Sequence, residues 1–254
     1  MALATFVLTV SESKRLIAKG VAALPAIRRA MEKGYVVVGK GTTNAYVLEE
    51  LLGRPVEKTG YVLGATIPAK GAARASLLPA SIPEVVFRDG QPAEGLTLAA
   101  AIKEMGPGDV VIKGANALDY RTRTAGVLVQ HPEGGTMGLF MGRLHGKKIS
   151  LVIPVGLEKQ VACDLREAEA TLLAAGHDAS TSPSLWTMVG EIVTEIEALT
   201  LLSGAEVTQI AAGGIGGAEG AVWLMATGTP QQVEAAVSLV SEIQGEPPFT
   251  KCGV

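Results

Sequence analysis

Three short apolar runs, each ending at or just before a glycine, constrain this chain most. Tyr35–Val38 reads YVVV, Asp109–Lys113 reads DVVIK and Ile149–Pro154 reads ISLVIP. Runs this short, without polar alternation, are the pattern of strands buried on both faces. Such strands belong to parallel sheets whose faces are covered by helices. Helical segments fall between them. In Ser11–Leu24, Ile17, Val21 and Leu24 share one face, while Lys14, Arg15 and Lys19 lie mostly off it. Pro25 restarts the helix, Ile27–Lys33 continues it and Gly34 stops it. Ala45–Leu52 closes at Gly53, and Leu96–Met105 precedes the turn Gly106-Pro107-Gly108. Further strands are expected at Thr5–Val10, Tyr61–Ile67, Glu84–Phe87 and Gly126–Gln130. Lys70–Ser81, rich in Ala, Gly and Pro, reads as either a flexible lid or a long crossover.

Beyond Gly156 the pattern changes. Helices are expected over Glu167–Ala175 and Val189–Leu202, the second with Glu191, Glu195 and Glu197 on its solvent face. Strands at Val207–Ala212 and Ala221–Ala226 flank the glycine-rich Gly213–Gly220 link. Thr229, Pro230 and Gln232 mark the start of a last helix. Trp186 and Trp223 read as packing residues. The expected class is therefore α/β: a mostly parallel sheet over residues 1–156, then a smaller α+β unit over 157–254, a lid or an assembly domain.

Bulk properties narrow the partners. A net charge of -3 over 254 residues argues against broad binding to nucleic acid, which needs many Lys and Arg against phosphates. No apolar stretch approaches the roughly 20 residues of a membrane span. Positive charge at Lys14 and Arg15 follows the first apolar run rather than preceding it, so a strand is read there, not a secretory leader, and the expected location is cytoplasmic. Cys163 and Cys252 are far apart, and His131, His145 and His177 lack ligand spacing. No metal is expected. The Gly39–Asn44 loop matches neither a Walker A loop nor a G-x-G-x-x-G fingerprint, and no cofactor is expected.

Loops at the carboxyl ends of parallel strands converge on one crevice. Gly39-Lys40-Gly41-Thr42-Thr43-Asn44 is the best equipped. Its glycines let the backbone approach an anion, Thr42 and Thr43 offer hydroxyls, Lys40 adds charge and the following helix offers free N–H groups. The alternative is a tight turn capped by Thr. The second loop runs from Lys113 to Asp119; Asp119 is a candidate general base, and Lys113 or Asn116 would polarise a carbonyl or hold a phosphate. Its alternative is a turn shaped by Asn116 and Asp119. The third is Glu133-Gly134-Gly135-Thr136-Met137-Gly138, with Glu133 a second candidate acid or base. The Gly213–Gly220 loop is either an anion nest, a flexible hairpin or a subunit contact.

Three segments carry a family resemblance. YVVVGKGTTNAYVLEELL at 35–52 resembles the strand–GxGTT-like loop–helix of ribose-5-phosphate isomerase and its relatives, glucosamine-6-phosphate deaminase and the CoA transferases. VVIKGANALD at 110–119 and the loop 133–138 resemble later loops of that superfamily. The resemblance implies a Rossmann-like sheet with a ferredoxin-like second unit. It also implies that Gly39, Gly41, Thr42, Thr43 and Asn44 bind the ligand, with Gly114, Asn116 and Asp119 facing the same pocket. The chain departs from the isomerase in its second loop, which reads Lys113-Gly114-Ala115-Asn116-Ala117 where an acidic Asp-Gly-Ala-Asp-Glu would stand.

The functional expectation is an enzyme acting on a small phosphorylated or carboxylated metabolite, of the phosphosugar isomerase type. Lys40, Gly135 and Thr136 join the binding set, Asp119 or Glu133 moves the proton and Lys113 stabilises developing negative charge. The alternatives are a non-catalytic anionic-metabolite binder and an acyl-CoA-related transferase on the same scaffold. A homo-oligomer is expected.

Overall fold

The computed structural model describes residues 1–64, 66, 81–176 and 183–249. The three apolar runs form β2 (Tyr35–Val38), β5 (Val110–Ile112) and β8 (Ser150–Pro154). They pair in parallel in the order β2-β5-β8, and β10 (Glu191–Val193) adds a fourth parallel strand beside β8. On the far side of β2 the antiparallel strands β3 (Val85–Arg88) and β4 (Gln91–Pro92) complete a mixed six-stranded sheet. Val36, Val37 and Val38 have no exposure. Successive side chains of a strand point to opposite faces, so both faces of this sheet are covered.

The cover is helical. α1 (Val10–Ala23) packs on β8 and β10 and lies against both α3 (Thr42–Leu52) and α7 (Glu195–Ser203). α2 (Pro25–Glu32) packs on β2 and β5, and α4 (Leu98–Glu104) on β2 and β3. α5 (Gly135–Lys147) precedes β8 and packs beside α4. The start of α1 is set by a capping box in which Thr9 and Glu12 satisfy each other's backbone N–H groups. Lys14 and Arg15, read as lying off the apolar face of α1, are instead packed into the structure. Lys14 is buried, and Arg15 joins Glu49, Glu50 (2.8 Å) and Glu246 (2.9 Å), tying α1 to α3 and to the segment after the last helix.

Two small sheets flank the main one. β1 (Ala2–Leu8) runs antiparallel along the whole of β12 (Val222–Gly228), which also pairs with β11 (Glu206–Ala212). The first strand thus belongs with the C-terminal hairpin, not with the parallel sheet. Its alternating burial suits a sheet covered on one side: Phe6 and Leu8 face in, Leu3 and Thr5 out. Trp223, read as a packing residue, stands 40% exposed on the open face. α8 (Pro230–Ile243), opened by the expected Thr229 box, packs on β1 and β12. The second small sheet is antiparallel, in the order β6 (Ala117–Asp119), β7 (Thr124–Val129), β9 (Ser184–Met188). α6 (Leu165–Ala175) packs against β9 and ends at left-handed Gly176. The pairings β1 with β12, β8 with β10 and β7 with β9 all cross residue 156, so strand pairing does not divide the chain there.

Other boundaries differ from the expectations for physical reasons. The helix read over 189–202 is a three-residue strand and then a helix. Thr194 and Glu197 form a second capping box that starts α7, and Glu191–Val193 is held extended by β8. The strand read over 61–67 is a 3-10 turn at Lys58–Tyr61, with the Tyr61 hydroxyl donating to the Val38 carbonyl and accepting from Val85 N–H. Ala65 and Ile67 of that run, the 70–81 lid or crossover apart from Ser81, His177 and Cys252 lie outside the described residues.

At Gly20, α1 lies directly against Ala198 of α7. A Cβ there would stand 2.5 Å from the Cβ of Ala198. Gly20→Val is therefore expected to cost about 1–3 kcal/mol, as overpacking does. Urea denaturation should show a lowered midpoint with an unchanged slope.

Candidate functional site

The four parallel strands point their carboxyl ends to one edge. β2 leads into Gly39–Asn44, β5 into Lys113–Asn116, β8 into Val155–Lys159 and β10 into Thr194 and Glu195. Between the first two loops lies a cleft of about 270 Å³, lined by Lys40–Asn44, Lys113–Asn116, Lys159 and a wall at Val62–Gly64 and Thr66.

The floor is backbone. Gly39 N–H donates to the Ile112 carbonyl at 2.9 Å, joining the ends of β2 and β5. A Cβ on Gly39 would come within 3.1 Å of that oxygen, so the glycine allows the approach. Gly41 is the N-cap of α3 and supplies no side-chain cap. The N–H groups of the first turn, at Thr42, Thr43 and Asn44, therefore have no helical partner and sit at the cleft. Asn44 is fully buried, its Nδ2 donating to the Gly39 carbonyl at 2.6 Å. Asn44 Oδ1 and Thr43 Oγ1 are buried without a hydrogen-bond partner.

Positive charge gathers around this floor. Lys40 Nζ donates to Ser81 Oγ at 2.9 Å, and Lys159 Nζ to the Ala115 carbonyl at 2.8 Å. Burial, and then the neighbouring charge of Lys159, bring the Lys113 ammonium down to a pKa of about 8. Among the described residues, no ion pair engages Lys40, Lys113 or Lys159. An uncapped helix start and three lysines concentrate positive potential at this edge of the sheet.

The structure brings together much, but not all, of the site read from sequence. Lys40, Gly41, Thr42, Thr43, Asn44, Lys113, Gly114 and Asn116 line the cleft, and Gly39 underlies it. Asn116 also shapes the β6–β7 hairpin, its N–H donating to the Gly126 carbonyl and its Oδ1 accepting from Leu128 N–H. Asp119 is not in the lining. Its carboxylate accepts from Thr122 Oγ1 (2.6 Å), Thr122 N–H and Arg121 N–H, which close the hairpin turn. The Thr122 hydroxyl, followed by these N–H groups and the charge of Arg121, holds its pKa below the usual value. Glu133 stands exposed in the loop before α5, and Gly135 and Thr136 open that helix outside the lining. The sequence reading missed Lys159, although it follows the glycine that ends the third apolar run.

Behind Lys159 lies a second group of charges. Glu195, expected on a solvent face, has no exposure. Its Oε2 accepts from Leu157 N–H at 2.9 Å, and its Oε1 has no partner. Lys14 of α1 is buried beside it, and Glu158 has a buried, unpartnered Oε2. Burial, then the like charge of Glu158, raise Glu195 to about 7; burial lowers Lys14 to about 8, with Lys159 adding to the fall. Glu197 turns the other way, to Thr194, the Tyr120 hydroxyl (2.8 Å) and Arg123 (2.8 Å). The Gly213–Gly220 loop overhangs this group: a Cβ on Gly220 would meet Val10 at 3.0 Å and Glu158 at 3.8 Å.

No family model, curated protein or solved structure matches the chain. Among the described residues, no helix is long and apolar enough to cross a membrane, and no group of three or more His, Cys, Asp or Glu is placed to hold a metal.

The buried Glu195 makes stability depend on pH. Its folded pKa of about 7 lies above the ordinary 4.5, so the folded state binds this proton more tightly. The contribution is full below pH 4.5 and is lost as pH rises to about 7. Glu195→Gln should flatten the stability profile across that span in urea titrations at pH 5, 6 and 7. A profile identical to that of the parent chain would contradict the assignment.

Proposed function

We propose that the cleft binds a small phosphorylated or carboxylated metabolite and that the chain is an isomerase of the phosphosugar type. The observation that carries this is the meeting of the uncapped α3 start with Lys40, Lys113 and Lys159 at the carboxyl edge of the parallel strands. In this reading the main sheet is Rossmann-like. The sheet β1-β12-β11 with α7 and α8 stands in the place of the ferredoxin-like unit, completed by the N-terminal strand. A cleft of about 270 Å³ lies just below the ~300 Å³ at which pockets for drug-sized ligands begin, which favours a sugar phosphate over a CoA ester.

Isomerisation needs a base to remove the proton beside a carbonyl, a cation where the electron pair arrives on oxygen, and return of the proton to the neighbouring carbon. Lys113, desolvated and still mostly protonated at neutral pH, suits the second task. A second reading, a metabolite-binding protein without turnover, draws support from one observation: neither Asp119 nor Glu133 lines the cleft.

A calorimetric screen of phosphosugars and small organic acids tests the binding. Lys113→Met is expected to weaken the best ligand about tenfold or more, as loss of a charge-assisted contact does. In the parent chain affinity should fall as pH rises through about 8, where Lys113 loses its proton. The Thr42→Val, Thr43→Val double variant should also weaken binding without unfolding the protein. For the bound phosphosugars, incubation in D₂O followed by proton NMR reads the chemistry. Deuterium at the carbon next to the carbonyl supports the isomerase, binding without exchange supports the second reading, and no binding sinks both.

A further inference from the structure

The cleft is rich in cations, and the two carboxylates proposed from sequence stand outside it. Proton transfer needs a group that changes charge, and the fold buries one close by. Glu195 comes from the start of α7, Glu158 from the turn after β8 and Lys14 from α1. Of these three groups, distant in sequence, Glu195 and Lys14 are buried and Glu158 is half-buried, and one carboxylate oxygen each of Glu195 and Glu158 is buried without a hydrogen-bond partner. A buried carboxylate with unmet acceptor capacity beside a like charge holds a proton more readily than an exposed one. A purely structural ion pair would present matched partners instead.

We propose that Glu195, Glu158 and Lys14 form a proton-holding centre that answers to the charge of the anion in the cleft, through Lys159. The proposal rests on the anion-binding reading above. Glu158 and Lys159 are neighbours on one turn: Lys159 lines the cleft, and Glu158 faces Glu195. Glu195 is faced by Lys14 and Ser13 from α1, by Glu158 and by the Leu157 N–H; Lys159 acts on both Lys14 and Lys113. Without an anion, the charge of Lys14 favours the ionised form of Glu195, as that of Glu195 favours the Lys14 ammonium. An anion placed against Lys113 and Lys159 cancels part of the positive field there, so the centre takes up a proton on binding and gives it back on release. Glu195 is here a positioning residue for charge, since it is not in the cleft lining.

The test uses the full chain with glutamate ¹³C-labelled at its side-chain carboxyl, and sulfate as the probe, because sulfate does not itself titrate near neutrality. The Glu195 resonance is assigned by its loss in Glu195→Gln or, where that variant does not fold, in Glu195→Asp. The expected result is a midpoint near neutral pH that moves upward by half a pH unit or more with saturating sulfate. Calorimetry in buffers of different ionisation enthalpy should show matching proton uptake at pH 7, reduced to less than half in Glu195→Gln. A Glu195 midpoint in the ordinary carboxylate range overturns the proposal. So does a midpoint that sulfate, though bound, leaves in place; the anion reading then survives. If sulfate does not bind at all, the anion reading fails and this centre's coupling fails with it.

Discussion

The Asn44 amide holds the carboxyl edge of the sheet in shape. Buried at the first turn of α3, it donates to the carbonyl of Gly39, the residue whose own N–H reaches across to Ile112. Two strand ends and a helix start are thereby fixed to one another over a few ångströms. The geometry depends on what is missing as much as on what is present: Gly39 has no Cβ to strike the Ile112 carbonyl, and Gly41 has no side chain to cap the helix. The helix N–H groups stay available because nothing in the local sequence satisfies them.

Charge follows from that arrangement. Lys113 and Lys159 leave the ends of adjacent parallel strands, so the fold sets two cations close together in a partly desolvated place. Burial and mutual repulsion disfavour the charged form of Lys113. In the proposed binding mode, an anion offsets the repulsion by supplying opposite charge and accepts the N–H groups of α3. Behind Lys159 the like-charge pair Glu158 and Glu195 places the opposite stress on a carboxyl, which keeps its proton to higher pH. The edge of the sheet therefore carries groups of both kinds whose ionisation burial shifts toward neutrality.

The small sheets show how chain ends and hairpins complete this edge. β1 carries the chain directly into α1, whose buried first turn brings Ser13 and Lys14 to the charged group. β12 holds β1 along its whole length, and the glycine-rich loop that precedes β12 reaches over Val10 and Glu158. Pairing of the N-terminal strand with the C-terminal hairpin thus positions α1 over β8 and β10.

The sequence by itself determined the features that depend on near neighbours. The apolar runs 35–38, 109–113 and 149–154 declared strands buried on both faces, and Thr229 with Gln232 declared a helix start. The loop 39–44 displayed its glycines, threonines and lysine in consecutive positions. Lys113 and Asn116 were legible because they follow a strand end directly. Only the tertiary structure decided the rest. Glu191–Val193 is too short to show a strand period, and β8 holds it extended. Thr5 and its neighbours read as a strand of the parallel sheet, and pairing with β12 placed them in the antiparallel C-terminal sheet instead. Asp119 read either as a general base or as a turn former, and the hairpin turn that engages its carboxylate decided for the second. Glu195 looked exposed on a helical wheel, and α1 together with the turn after β8 removed it from water. Burial of a charged side chain is imposed by elements distant in sequence, and no local pattern records it.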